Sequence, residues 1–308
     1  MIICCGEALI DMIPAATSQG TESFVPHCGG AVFNTAIALG RLGVRAGMLT
    51  GLSTDMFGQQ LHAALQASQV DTSHVIRSDR PSALAFLRLA EGQARYSFFD
   101  ENSAGRMLTP AGMPMLPDTA KSLFLGGISL AAEPCADAYA ALLEREGPRR
   151  AVMIDPNIRP GFIDDIPRYR ARLARMLELA DIVKLSDEDL HWLQPGPQSL
   201  REKAELLLRQ GLSAVILTRG GEGATGYLAD GRAVHAPAVR TSVCDTVGAG
   251  DTFNAGVLAK LSELGQLTKP ALATLRIDTL EQALAFGAKA ASVTVSRAGA
   301  DPPWAGEL

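Results

Sequence analysis

The sequence predicts an α/β protein, a mostly parallel sheet covered by helices and interrupted by two antiparallel stretches. Two observations predict it. Short apolar or β-branched runs alternate with helically spaced stretches along the 308 residues, the pattern of βαβ units. Helices spaced this way between strands cover both faces of a parallel sheet. Two stretches, 12–26 and 83–99, break the rhythm by alternating polar and apolar residues, and so read as antiparallel strands.

In chain order, MIICC from residue 1 is the first buried strand, followed by the lid segment at 12–26. FNTAIALGRLG at 33–43 has helical spacing, and AGMLTGL at 46–52 is the next buried run. The second lid segment occupies about 83–100, with Glu91-Gly92 as its tight turn. SLFLGGI at 122, AVMID at 151, DIVKLS at 181 and AVILT at 214 complete the parallel set, with YRARLARMLELA at 169–180 as a helix among them. YLADGRAVHAP at 227–237 reads as two short strands around an Asp230-Gly231 turn. No linker, repeat or low-complexity tract divides the chain, so residues 1–308 are expected to form one domain with the lid strands inserted. Strands placed near the carboxyl ends of a parallel sheet would cover a ligand site. From pattern alone, a hairpin decorating the sheet edge is the alternative.

Composition narrows the function. A hydrophobic content of 47% and a charged content of 20% suit a globular enzyme with a sizeable core. A net charge of −5 without a basic block argues against nucleic acid as a partner. No 18 apolar residues run uninterrupted by charge, and the start meets Glu7 and Asp11 too early for a signal peptide, so a cytoplasmic protein without membrane association is expected. Cys4, Cys5, Cys28, Cys135 and Cys244 contain no CxxC and read as small buried side chains in a reducing compartment. His27, His62, His74, His191 and His235 form no metal-binding spacing.

Two glycine motifs compete for a nucleotide. GEGATG at 221–226 satisfies GxGxxG after a strand, but residues 227–237 beyond it read as strands, whereas a dinucleotide fingerprint must open a helix. No Gly-Lys-Ser/Thr loop occurs either. DTVGAGDTFNAG at 245–256 is different: Gly248, Ala249 and Gly250 let the backbone approach a ligand, and from Phe253 apolar residues recur at Val257, Leu258, Leu261 and Leu264 with helical spacing. Asp251 therefore lies in a helical first turn, beside N–H groups that attract anions. It either complements the helix dipole, worth about 0.3–1 kcal/mol, or takes a proton from a hydroxyl while the loop holds the phosphoryl group under attack.

The same stretch resembles the C-terminal signature of the ribokinase-like, or PfkB, sugar kinases, and GGAVFNTAIALGRLG at 29–43 resembles their N-terminal signature. GEALIDM, GLSTDMFG, DENSAGRML, DPNIRPGFI, TRGGEG and SRAGADPPW extend the resemblance over essentially the whole chain, and within the family it looks most like the bacterial fructokinases. The resemblance implies a doubly wound, mostly parallel α/β sheet with a small β-sheet lid, ATP as donor, Mg²⁺ with it, and Asp251 as catalytic base beside an anion hole of Gly248, Ala249 and Gly250. It places the sugar against Asp11, Gly29, Gly30 and Asn34, with Arg159 nearby; of Phe98 and Phe99 on the second lid segment, alternation turns only one inward over the sugar's apolar face, and Phe98 is the candidate. Without it, Gly29-Gly30 would read as a turn and Asn34 as a helix cap.

The nucleotide is implied along Lys184, Ser186, Thr218, Gly220, Gly221 and Gly223. A monovalent cation such as K⁺ is implied at Asp245 and the carbonyl of Val247. Family members carry Asn-x-x-Glu after the strand that here ends DIVKLS; this chain offers Ser186-Asp187-Glu188-Asp189, with Asp189 as the substitute metal escort. The family's lids pair between subunits, which implies a homodimer.

Charge narrows the sugar. Relatives that phosphorylate 2-keto-3-deoxygluconate place an arginine where Asp100 falls, and an acid there repels an anionic sugar. The expected reaction is fructose to fructose 6-phosphate. The alternatives are another PfkB-type kinase, such as a ribokinase or a 2-keto-3-deoxygluconate kinase, and a non-catalytic sugar-binding regulator on the same fold.

Overall fold

The structure, a computed structural model, describes residues 1–90 and 93–308. β1 (Ile2–Cys5) leads into two longer strands, β2 (Leu9–Ala16) and β3 (Glu22–Gly29), then α1 (Ala31–Arg41), β4 (Ala46–Leu49) and the short β5 (Gly51–Ser53). α2 (Met56–Ala67) and β6 (Ile76–Ser78) precede the pair β7 (Leu84–Ala90) and β8 (Gln93–Phe99). Next come β9 (Ser122–Gly126), α3 (Cys135–Glu146), β10 (Ala151–Asp155), α4 (Ile166–Glu178), β11 (Ile182–Ser186), α5 (Asp187–Leu193), α6 (Leu200–Leu208) and β12 (Ala214–Thr218). β13 (Ala224–Leu228) and β14 (Ala233–Ala236) are followed by α7 (Ala249–Glu263), α8 (Lys269–Leu272) and α9 (Ile277–Val295).

Eight strands form the main sheet in the order β14-β13-β12-β11-β10-β9-β1-β4. From β12 to β4 every pairing is parallel, while β13 and β14 add an antiparallel edge. Strand order reverses at β1, with β4 on one side and β9 on the other, the doubly wound arrangement whose ligands sit at the carboxyl ends of the strands. Successive residues of the central strands enter opposite cores. Ile2, Cys4, Met153 and Ile216 pack with Leu39, Leu258 and Leu284 of α1, α7 and α9. Ile3, Cys5, Ile154 and Leu217 pack with Leu142, Leu173 and Leu207 of α3, α4 and α6. Each such side chain contributes about 1.5–3 kcal/mol of burial, and coverage on both faces is why these runs lack polar alternation.

A second sheet carries β3-β2-β7-β8, antiparallel within each hairpin and parallel between β2 and β7. Its strands reach back to Leu9 and on to Gly29, beyond the polar alternation, because both hairpin arms continue into the main body. The turn expected at Glu91-Gly92 lies outside the described residues. Register sorts its faces. Asp11 pairs with Ala85, and Ala85 with Phe98, so Asp11 and Phe98 share one face. Met12, Pro26, Phe86 and Phe99 lie on the other.

Two expectations for cysteine need correction. Cys4, Cys5 and Cys135 are buried, but Cys28 is only half-buried and Cys244 is exposed, because the segment before α7 runs over the surface. No helix among the described residues is long and apolar enough to cross a membrane.

Candidate active site

Several helices begin on side-chain caps. Asp55 accepts from the Gly58 N–H and Asp165 from the Arg168 N–H, and Ser199 and Glu202 form a capping box. α7 begins instead on Gly248, at φ +75° and with no side chain to offer; the Ala249 N–H donates to the Thr246 carbonyl, and the N–H groups of Gly250 and Asp251 are left for a ligand. A Cβ at Gly248 would also press on Ala300. Asp251 is the third residue of α7 and only 9% exposed. Its Oδ2 accepts from Asn34 Nδ2 at 2.9 Å, and its carbonyl from Thr35 Oγ1 at 3.3 Å, so α1 and α7 meet at the acid. Burial pushes the Asp251 carboxyl up to about 7, against the Asn34 hydrogen bond; the charge of Asp155 adds to the rise and Lys184 opposes it.

On one side of Asp251 lies a cavity of about 420 Å³. Thr218, Gly220, Gly221 and Gly223 line it at the end of β12, Phe253 and Val295 give it apolar wall, and Ala249 and Gly250 close it at the start of α7. Thr218, Gly220, Gly221 and Gly223 thus share one space with the anion cradle. GEGATG opens β13 rather than a helix, which removes the dinucleotide reading.

On the other side, Gly29 ends β3 and Gly30 precedes α1 at φ +108°. A Cβ on Gly29 would overlap Asp11 Oδ2, so bare backbone is what lets the Asp11 carboxyl settle there. Burial pushes that carboxyl up to about 6. Gly29→Ala is therefore expected to displace Asp11 and raise the sugar KM about tenfold or more, as a misplaced hydrogen-bonding partner does, while the nucleotide KM is unchanged; steady-state kinetics with each substrate varied checks it. Phe98 meets Phe162 edge-on, ring centroids 4.2 Å apart, and Phe99 faces away and is 58% exposed. Arg159 immediately precedes the 160–162 turn that carries Phe162; it is exposed and donates to the Ile158 carbonyl at 3.1 Å.

Beneath Gly250 runs a buried polar network that the sequence did not announce. Asp155 Oδ2 accepts from Lys184 Nζ at 3.0 Å and Asn254 Nδ2 at 2.7 Å, and Oδ1 accepts from the Asn157 N–H. All three side chains are at most 7% exposed. Asp155 ends an apolar strand and Asn254 sits in a helix buried on nearly every side, so neither shows a periodic signal. A Cβ on Gly250 would stand 3.5 Å from Lys184 Nζ, which places the ammonium under the cradle.

One metal expectation changes. Asp189 is 5% exposed; its Oδ2 accepts from the Ser186 N–H and its Oδ1 from the Ile158 N–H, while Ser186 Oγ accepts from the Asp189 N–H. Ser186 and Asp189 are the capping box of α5, and a carboxylate held from both sides by backbone is a cap rather than a metal escort. Asp245 accepts from the Val247 N–H at 3.0 Å and from the Gly299 N–H at 2.9 Å, bonds that hold its carboxyl below the usual range and brace the loop beside Gly248. Its carboxylate and the Val247 carbonyl are hard oxygen donors of the kind a K⁺ ion takes.

The description "pfkB family carbohydrate kinase" matches residues 1–305. The chain belongs to this family. It is 51% identical over 289 residues to a fructokinase of Rhizobium leguminosarum bv. trifolii, covering 93% of this chain and 86% of that one. A fructokinase of Salmonella typhimurium is 32% identical, covering 85% of each. Among solved structures, the fructokinase of Xylella fastidiosa with bound ATP superposes with a TM-score of 0.88 at 27% identity, over 97% of this chain and 93% of that one. The ribokinase-like fold is thereby shared, and a family of carbohydrate kinases accounts for a buried acid beside an anion cradle.

Proposed function

We propose that the protein is an ATP-dependent fructokinase that transfers the γ-phosphoryl group to the primary hydroxyl of fructose. The observation that carries this reading is the placement of Asp251: buried, raised toward neutrality, bonded to Asn34, and next in the chain to Ala249 and Gly250, which line the 420 Å³ cavity. The similarity to fructokinases, one of them with bound ATP, supports the choice of sugar and donor.

In this reading Asp11 and Asn34 orient the sugar hydroxyls, since a carboxylate accepts twice and an amide both donates and accepts. Asp251 takes the proton of the primary hydroxyl. The alkoxide oxygen attacks the γ-phosphorus in line, and ADP leaves from the opposite side. The first N–H groups of α7 and the Lys184 ammonium meet charge as it develops on the phosphoryl oxygens. Mg²⁺ would neutralise charge on the donor's phosphates; Asp155 and Asp189 are already engaged within the protein. The small sheet serves as a lid, with Asp11 and Phe98 on its sugar-facing side.

Asp100 accepts from Ser103 Oγ at 2.6 Å and lies 3.7 Å from Arg106, so this corner carries a paired acid rather than a free cation for a sugar carboxylate. Measuring ADP release with fructose, ribose, glucose and 2-keto-3-deoxygluconate tests the assignment. The highest kcat/KM is expected with fructose. Preference for 2-keto-3-deoxygluconate would contradict it, and sugar binding without ADP from any of them would favour a regulator.

The outer face of the lid is the surface on which we place a second copy of the chain. Phe24, Phe86 and Phe99 form an edge-to-face ladder there, centroids 5.1 and 5.4 Å apart, with Phe99 largely exposed. Sedimentation is expected to give a dimer that Phe99→Asp dissociates; a wild-type monomer at micromolar concentration would refute this arrangement.

A further inference from the structure

Glu7 lies outside the 420 Å³ cavity, in the wall of a small one that it shares with Asp100 and Arg106, and it ties three segments together. It leaves β1 just ahead of β2, and its Oε1 accepts from the Ala31 N–H at 3.0 Å. Oε2 accepts from the Ser129 N–H at 3.2 Å, and its main-chain carbonyl accepts from the Phe33 N–H at 3.2 Å. The first turn of α1 is thus capped by an acid 24 positions upstream, where its own cap residue, Gly30, has no side chain to offer. A negative charge at that place also suits the positive end of α1. Backbone makes the room for it: Gly127 sits at φ +68°, and a Cβ there would overlap the Glu7 carboxylate. One turn along, α1 presents Asn34, whose amide donates to Asp251.

We propose that Glu7 is a positioning residue for the transfer reaction: it clamps the start of α1 to the 127–130 turn and so fixes both Asn34 against Asp251 and the Gly29-Gly30 approach to the sugar. The proposal rests on the assignment of Asp251 as base. Glutamine at position 7 keeps one acceptor but turns an amide N–H toward a backbone N–H, donor against donor, so one of the two side-chain bonds is lost.

The test is a double-mutant cycle of Glu7→Gln and Asn34→Ala, read by kinetics with sugar and nucleotide varied separately. Glu7→Gln is expected to lower kcat/KM for fructose about tenfold with ADP affinity unchanged, because the nucleotide cavity lies on the far side of Asp251. In the Asn34→Ala background the same change should cost clearly less than it does in wild type, since the route through Asn34 is gone and only that through Gly29-Gly30 remains. Fully additive losses, or a lowered Tm with wild-type kinetics per folded molecule, would overturn the proposal. Glu7→Asp, which keeps the charge but shortens the reach, should show the same split and serves if the glutamine variant folds poorly. Asp251→Asn run alongside separates the two failures: normal turnover there sinks the base assignment, whereas lost turnover there with normal Glu7→Gln kinetics sinks only the clamp.

Discussion

Asp251→Asn is expected to lower turnover by about 10²–10⁴-fold, the range that a positioned general base contributes, with fructose and ATP affinities little changed. Asparagine can still accept the hydrogen bond from Asn34, so the junction of α1 and α7 survives and only proton acceptance is lost. The acid side of the wild-type pH profile carries the same signature. With the carboxyl pushed up to about 7, the group is protonated below that pH and cannot accept, so kcat/KM should fall as the pH drops through about 7, and the residual rate of the variant should lack this limb. Stability moves the opposite way. A carboxyl raised in the folded state stabilises the fold at low pH and loses that contribution as the pH rises through the raised value. Asp251→Asn should therefore unfold at a higher temperature than wild type at pH 8, with the advantage gone near pH 4. Wild-type turnover in the variant would return Asp251 to the role of a helix-dipole partner.

Lys184→Met is expected to lower kcat by about 10²–10³-fold, as removal of one electrostatic donor from a preorganised site does, and also to destabilise the fold. The second effect comes from burial. Asp155 is 4% exposed, and removing its cation leaves an unpaired carboxylate, at a cost of about 3–5 kcal/mol. The two consequences separate in Lys184→Met combined with Asp155→Asn. The double variant no longer buries a lone charge, so its Tm should recover most of the loss, but the ammonium under Gly250 is still missing and kcat should stay low. Recovery of both would make Lys184 a purely structural partner of Asp155.

The fold is legible in the sequence wherever burial forces a pattern. Strands covered on both faces must be apolar at every position, which is why MIICC, AVMID and AVILT stand out, and the alternating stretches stand out for the converse reason. α7 is only partly legible. Phe253, Val257, Leu258 and Leu261 mark a stripe, but Ala255, Gly256 and Ala259 are buried too, and small residues carry no periodic weight. Asp251 and its glycines can be found because an acid beside an anion cradle poses a contradiction that chemistry resolves. Glu7, Asp155 and Asn254 pose none in one dimension. Apart from the Asn157 N–H, two positions from Asp155, their partners lie between 24 and 122 positions away in the chain, and only folding brings those donors and acceptors together. Asp189 misleads although Ser186-x-x-Asp189 has capping-box spacing; three acids in a row draw the reading toward metal when the local hydrogen bonds are the simpler use.

The central claim is that Asp251 receives the proton of the sugar's primary hydroxyl. A crystal structure with fructose and a non-hydrolysable ATP analogue measures this directly. The account predicts a carboxylate oxygen about 2.6–3.2 Å from that hydroxyl, with the hydroxyl oxygen in line with the γ-phosphorus and the γ-oxygens held at the start of α7. A fructose bound with its primary hydroxyl out of reach of Asp251, and the carboxylate engaged only by Asn34, would contradict it.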